Sequence, residues 1–319
     1  MVATSRDVAE SAGVSRSTVS EILNGRGHKF AVATREKVEQ AARELGYQPS
    51  AAARSLVRGT SDLVIALIPD TTFGGNLQDI FERATEELAE HGLTLVLRLA
   101  TPSAQSFDRL ISSLNPRGVL SLAPFTAQER HILVSRGVEF FDPPPPTSYR
   151  NVDYEIGRLQ AAHLIGRGHH RLAYAHLSDA RQDPFGSERE AGVRDECLDH
   201  DLPEPVILRL GIDRAEALAA LDSLGPAPVA VACYNDDVAA SLVAAAQLRG
   251  RSIPQEIALV GMDHTSLSQV MVPRLSTIGY PVDSAAHAAV AGIIAAVSGN
   301  PGVDVDRRVP LHVIEGESS

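Results

Sequence analysis

From residue 61 onward the chain alternates short apolar runs with longer amphipathic stretches, and this rhythm restricts the fold more than any other feature. The apolar runs cover 63–68, 93–99, 119–122, 138–141, 172–175, 206–210, 229–232 and 257–260. Each is too short for a typical helix and reads as a buried strand. Helical stretches such as 77–90 and 238–247 lie between them. Strand–helix alternation predicts parallel sheets with right-handed crossovers. Eight such strands over residues 61–319 fit either a closed barrel or two open sheets. Apart from the proline run 143–146, no low-complexity tract or internal repeat interrupts the pattern.

The first sixty residues have a different character. Thr4 with Asp7 three positions on fits a capping box opening a helix. Val8 and Ala12 supply its apolar face, Gly13 breaks it, and Val14 packs in the turn. Ser15 is a second N-cap, opening a helix over 16–23 with Val19, Ile22 and Leu23 inward. Asn24-Gly25 ends it. A third helix is expected over 32–45, with Val38, Ala42 and Leu45 inward and Gly46 just past its end. Two short helices joined by a glycine turn form a helix-turn-helix, whose second helix enters the DNA major groove N-terminal end first. That places Arg16, Ser17 and Ser20 toward base edges, arginine being suited to guanine O6 and N7. Ser5 and Thr18 suit phosphates. A plain three-helix bundle with solvated polar faces accounts for the helix pattern equally well.

Charge is divided along the chain. The net charge is -11, yet residues 1–60 carry nine Lys/Arg against six Asp/Glu, and residues 61–319 carry 20 against 34. A basic end on an acidic body is the distribution of a nucleic-acid module on a body that does not touch DNA. No run of about 18 apolar residues is present, so no membrane span is expected. The N-terminus lacks a secretion-signal layout, which points to the cytoplasm. The two cysteines, Cys197 and Cys233, are too few for a disulfide scaffold or a cysteine zinc cage.

Residue identity in the head is more specific than pattern. Asp7-Val8-Ala9, Ala12-Gly13-Val14-Ser15, Thr18-Val19-Ser20 and Leu23-Asn24-Gly25, then Thr34-Arg35-Glu36-Lys37-Val38, Leu45-Gly46-Tyr47-Gln48-Pro49 and Ala51-Ala52-Ala53-Arg54-Ser55-Leu56, resemble the head of the LacI/GalR (lactose-repressor) family. The resemblance implies a DNA-facing set of Thr4, Ser5, Ser15, Arg16, Ser17, Thr18, Ser20 and Asn24, with Ala53 and Leu56 in a hinge helix. The segment 51–56 is too short to be a stable helix alone. In the family it folds on DNA, pairs with its dimer mate in the minor groove, and wedges a leucine into the central base step. Such a wedge kinks the duplex. Two features depart from the family pattern. Glu21 stands where arginine is usual, and the loop over 25–30 is one residue longer.

Further landmarks extend the resemblance over the body: Val152-Asp153, Gly157, Ala162-His163-Leu164, Gly168-His169, Arg171-Leu172-Ala173, Arg189 and Gly192. Asn235-Asp236-Asp237, Val260-Gly261-Met262-Asp263 and Pro273-Arg274-Leu275-Ser276-Thr277-Ile278 follow. It implies two parallel-sheet subdomains like those of a periplasmic binding protein, with an effector between them. The division implied is 1–48 helix-turn-helix, 49–60 hinge and linker, and 61–319 effector-binding and dimerisation domain. Ligands in open parallel sheets bind beyond the carboxyl ends of strands. The effector set the resemblance implies is Asp70, Phe73, Asp142, Arg189, Asn235, Asp263 and Tyr280. Asp142 also fits a turn before the prolines, Asn235 a helix N-cap and Asp237 a helix N-terminal acid. Planar Arg, Asn and Asp groups suit vicinal hydroxyls, so a sugar or related metabolite is expected. The chain has no tryptophan, leaving Phe73, Phe125, Phe185 and Tyr280 as stacking candidates and polyols or nucleobases as other effectors.

An enzyme is not expected. A P-loop needs lysine after glycine, and Lys29 follows His28 while Lys37 follows Glu36. There is no G-x-S-x-G elbow and no H-E-x-x-H spacing; His169-His170 read as surface residues near a helix end. Gly166-Arg167-Gly168-His169-His170-Arg171 lacks the last glycine of the dinucleotide fingerprint. No cofactor or metal is expected. The expected partners are pseudo-palindromic operator DNA, a small-molecule effector and a second copy of the chain. The alternatives are a metabolite-binding module with a degenerate head, or a sugar-converting enzyme.

Overall fold

The computed structural model describes residues 3–23, 27–47, 60–68, 75–100, 103–141, 152–179, 183, 185–299 and 310–319. Contacts divide the chain into two units, Met1–Leu63 with Leu114–Arg117 and Val64–Ser113 with Gly118–Ser319.

The first unit is helical: α1 Ser5–Ala12, α2 Arg16–Glu21 and α3 Val32–Glu44. Thr4 and Asp7 cap α1 reciprocally, and Gly13 closes it at φ 67, a left-handed conformation that glycine adopts without a Cβ penalty. Val8, Ala9, Val19, Ile22, Val38, Ala41 and Ala42 form one core, covered by Leu23, Phe30 and Tyr47. Leu45 was expected in that core and is 40% exposed. The reason is local: α3 stops at Glu44, and Tyr47 folds back to donate its N–H to the Ala42 carbonyl at 2.8 Å and takes the inward place.

The second unit is built on two open sheets, so the barrel is excluded. The first has order β2-β1-β3-β4, with β1 Leu63–Ile68, β2 Thr94–Leu99, β3 Gly118–Ser121 and β4 Glu139–Phe141. Its helices are α4 Gly75–Glu90, α5 Ala104–Leu114 and α6 Ala127–Arg136. The second sheet follows, with α7 Val152–Gly166, β5 Leu172–Leu177, α8 Gly186–Asp199, β6 Val206–Leu210, α9 Arg214–Ser223, β7 Val229–Cys233, α10 Asp236–Arg249, β8 Ile257–Met262, α11 Ser266–Val270 and β9 Ser276–Gly279. Its order is β10-β9-β8-β7-β5-β6, all parallel except the pairing of β9 with β10 His312–Ile314.

Strands β5, β7 and β8 are buried throughout, which explains their continuous apolar character. Alternate residues face opposite layers. Ala173, Ala175, Val231 and Leu259 pack with α9 and α10, while Leu172, Tyr174, Ala230 and Val260 pack with α7 and α8. Strands β9 and β10 lay outside the expected set. β9 opens with Ser276 and Thr277, both fully buried, so its polar letters hide a core strand. Their hydroxyls are satisfied internally, Thr277 Oγ1 donating to Asp236 Oδ1 at 2.6 Å and Ser276 Oγ accepting from the Gly316 N–H at 3.0 Å.

After the second sheet the chain returns to the first. Helix α12 Val282–Val297 buries Val290 and Ile293 against Val64, Ala66, Leu88 and Leu120. Gly292 permits this approach, since a Cβ there would overlap the Phe141 ring. Among the described residues no helix is long and apolar enough to cross a membrane.

Candidate functional site

Two constellations stand out, one in each unit. In the head, Ser15 caps α2, its hydroxyl accepting from the Thr18 N–H at 3.1 Å. The same oxygen lies 2.7 Å from Ser17 Oγ and 2.9 Å from Thr18 Oγ1, so three hydroxyls cluster at the entrance of the helix. Arg16 and Ser17 are exposed, and Ser20 is half-buried. The apolar side of α2 is spent on Val19 and Ile22. The helix keeps its regular form through Glu21 and not to residue 23 as expected. Thr4 is exposed, with its hydroxyl donated to Asp7 Oδ2 at 2.8 Å, and Ser5 is half-buried in the first turn of α1. Glu21 is ion-paired with Lys29, which ends a 3-10 turn over Gly27–Lys29. Asn24, Ala53 and Leu56 lie outside the described residues.

In the second unit, four of the expected effector residues gather along the carboxyl edge of the six-stranded sheet. Asn235 follows β7, Asp263 follows β8, Tyr280 follows β9, and Arg189 reaches the edge from α8. Arg189 is 6% exposed and held on every side. Its Nε donates to Asp153 Oδ1 at 2.9 Å, Nη2 is ion-paired with the same oxygen at 2.9 Å, and Nη1 donates to the Tyr234 carbonyl at 2.6 Å. Its guanidinium stacks on the rings of Tyr234 and Phe185, 4.9 and 5.6 Å from their centroids. This fork presents planar N–H groups in one fixed orientation. Burial works against the Arg189 charge, but Asp153 above all, with Tyr234, Tyr174 and Asp263, moves its proton affinity upward. Burial also raises Asp153, against the pull of Arg189.

Asp263 sits at φ 103, a conformation costly for a residue with a Cβ and one that concentrates at functional sites. Burial pushes its carboxyl up to about 6; Arg189 opposes that shift, and the carboxylates of Asp236, Asp237 and Asp153 add to it. Asn235 is 3% exposed and its Oδ1 accepts from the Val238 N–H at 3.0 Å, so its oxygen serves as the N-cap of α10. Asp237 is in the first turn of that helix. Tyr280 is half-buried against the core shared with α7 and α8. Phe125 is not a stacking candidate: it is buried edge-on against Phe140, with centroids 5.7 Å apart. His170 is exposed, while His169 is half-buried. Asp70, Phe73 and Asp142 lie outside the described residues.

Two features of the candidate site were given no role in the sequence reading. Asp153 is the anchor of Arg189, though 36 residues away and on another helix. The signal was present in Gly157 and Gly192, which let α7 and α8 touch: a Cβ at Gly157 would fall on the Arg189 carbonyl, and one at Gly192 on that of Tyr154. The second is a set of buried polar groups that fasten the edge. Asp236 accepts from the Thr265 N–H and hydroxyl at 2.7 and 3.0 Å. The ring of His176, 2% exposed, is hydrogen-bonded to Asp183 on one nitrogen and to Glu190 of α8 at 2.8 Å on the other.

Residues 4–50 match the family described as bacterial regulatory proteins, lacI family, and residues 161–319 match the periplasmic binding protein-like domain. The HTH-type transcriptional regulator reg1 of Streptomyces lividans is 30% identical over 92% of this chain and 90% of its own length. Among solved structures, a lac repressor dimer bound to operator and an anti-inducer superposes with a TM-score of 0.79 over 100% of this chain and 99% of that one, at 22% identity. A transcriptional regulator CelR–cellobiose complex superposes at 0.70 over 99% and 100%, at 23% identity. An all-α helix-turn-helix head on a periplasmic-binding-protein-like α/β body, related along nearly its whole length to a transcription regulator, makes this chain a member of the lacI family of bacterial regulatory proteins.

Proposed function

We propose that the chain is a cytoplasmic, homodimeric repressor that binds a pseudo-palindromic operator and is controlled by a small polar effector, a sugar or related metabolite, held between the two subdomains. It is not an enzyme. The observation that carries the effector reading is Arg189, fixed by Asp153 and Tyr234 at the sheet edge beside Asp263. A rigid donor fork next to an acceptor carboxylate suits vicinal hydroxyls. Asn235 and Tyr280 complete the edge, and Asp70, Phe73 and Asp142 are proposed as further effector residues. The head, 1–48, reads the half-site; the hinge, 49–60, places Ala53 and Leu56 in the minor groove; residues 61–319 bind effector and dimerise. Support for the dimer comes from exposed apolar side chains on neighbouring elements: Ile212, Leu248, Leu267, Val270 and Val272 are 49–77% exposed. Ile212 and Leu248 line one surface depression, and Gln247 beside Leu248 donates to the Val272 carbonyl; exposed apolar groups that adjoin favour an interface.

A thermal-shift screen of sugars, polyols and nucleobases tests this reading, because a ligand at 100 times its Kd stabilises by about 2.7 kcal/mol. A hit must also change the mobility of an operator complex. A hit that leaves DNA binding untouched at all concentrations favours the metabolite-binding module with a degenerate head.

The site also has a defined pH dependence. In the ligand-free protein Asp263 holds its proton up to about pH 6. Its raised value means that the proton's contribution to folding is complete below the ordinary 3.8 and is lost as pH rises through 6. Effector binding runs the other way, because hydroxyl donors need the ionised carboxylate. Effector affinity is expected to be level above pH 7 and to fall by up to about tenfold per unit below pH 6. Calorimetric titration at pH 5, 6 and 7.5 checks this, with Asp263→Asn flattening the profile. Equal affinity at all three values removes Asp263 from the ligand.

A further inference from the structure

We infer that Glu21 and Lys29 act together as a base-pair reader, selecting a C·G pair with its cytosine facing Glu21; this rests on the DNA-binding reading above. Helical spacing places Glu21 there. Successive residues turn by about 100°, so Glu21 lies about 40° from Ser17 and about 160° from Val19, on the outward side of α2. That outward face carries Arg16, Ser17, Ser20 and Glu21. Arginine and serine offer donors, and a carboxylate only accepts. In the major groove guanine shows two acceptors and thymine one, and all of these repel a carboxylate. Adenine pairs its N6 donor with an N7 acceptor. Cytosine shows the N4 donor alone, so it is the base that a carboxylate fits.

Lys29 completes the match. Its Nζ lies 3.5 Å from Glu21 Oε2, bringing an ammonium from the loop after α2 alongside the helix. The ammonium is suited to O6 and N7 of the guanine paired with that cytosine. The side chains of Lys29 and Glu21 are 53% and 39% exposed. An exposed ion pair of this kind is held together only weakly, so it opens at little cost to admit base edges. The two side chains also answer the electrostatic problem of an acid in a DNA-reading helix. Lys29 screens Glu21 from the phosphates, leaving an acid that selects a base without repelling the duplex.

The test is selection of full-length protein on double-stranded DNA with randomised half-sites at fixed salt, for wild type, Glu21→Gln and Lys29→Ala. Thermal melts of all three check folding, and neither residue is in the core. Wild type is expected to enrich a palindrome with one C·G position in each half-site. Both variants are expected to lose preference at that position, by about tenfold or more for Glu21→Gln, while the other positions keep their order. A wild-type palindrome lacking such a position overturns the inference. So does a Glu21→Gln variant that binds all sequences more tightly by one common factor, because Glu21 is then only a repulsive charge. A wild type that enriches no sequence at all sinks the DNA-binding reading and this inference with it.

Discussion

Replacing Arg189 by alanine is expected to abolish the effector response and to destabilise the second unit by about 3–5 kcal/mol. Its side chain is only 8% exposed and that of Asp153 15%, so truncation leaves an acid in the interior without its cation. It also strips the Tyr234 carbonyl of its 2.6 Å donor and empties the space between two aromatic rings. Breaking a buried pair costs more than the pair contributes, because the remaining charge loses its solvation and its partner together. Asp153 responds by holding its proton to a higher pH, so the variant should recover part of its stability in mild acid. Denaturant unfolding at pH 5 and 7.5 reads both effects, and titration with a ligand found by thermal shift reads the third. Arg189 and Asp153 belong to the second unit and the DNA-facing residues to the first, so operator affinity without effector should stay within a few-fold of wild type. An unchanged effector dose response in Arg189→Ala would remove this residue from the site.

Gly157→Val is expected to be nearly as damaging through packing alone. Helices α7 and α8 are pressed together at Gly157 and Gly192, and even one added methyl at Gly157 would coincide with the Arg189 carbonyl. The helices cannot simply part. Arg158 bonds Glu196 and Asp199 across them at 2.6 and 2.7 Å, and Tyr154 donates to Asp195 at 2.8 Å. Overpacking of this kind typically costs about 1–3 kcal/mol, and the backbone collision places Gly157→Val at the upper end. Arg189 must then move relative to Asp153, so effector affinity falls along with stability. Gly166→Ala is the control: it is in the same helix, with open space around it, and should be neutral or slightly stabilising. Melting temperature and effector Kd of the pair decide the matter. Equal behaviour of the two variants would contradict the close-contact account.

What was legible in the sequence follows the physics of each element. Strands β5, β7 and β8 were readable because they are buried on both faces and so are largely apolar. The head was readable because its caps are local chemistry: Thr4 with Asp7, Gly13, and Ser15 with Thr18 all lie within a few residues of each other. Strand β9 was not readable, because Ser276 and Thr277 are buried by partners that arrive from Asp236 and from residues 316–319. The return of α12 to the first sheet was hidden for the same reason, since nothing local marks which sheet an apolar helix will cover. At the candidate site, the family resemblance gave Arg189, Asn235, Asp263 and Tyr280. Asp153 escaped because its role depends on two helices meeting at Gly157 and Gly192. Leu45 failed as a core residue because the end of α3 let Tyr47 compete for the same space and win.

The central claim is that one chain couples a DNA-reading head to an effector site. By linkage the two ligands must change each other's affinity by the same factor. The direct measurement is therefore a pair of titrations on the full-length protein. Operator affinity is measured with and without saturating effector, and effector affinity with and without saturating operator. The account predicts two equal factors, in the range of about 5–150-fold that such couplings span. A factor of one in both titrations, with both ligands bound, would contradict it.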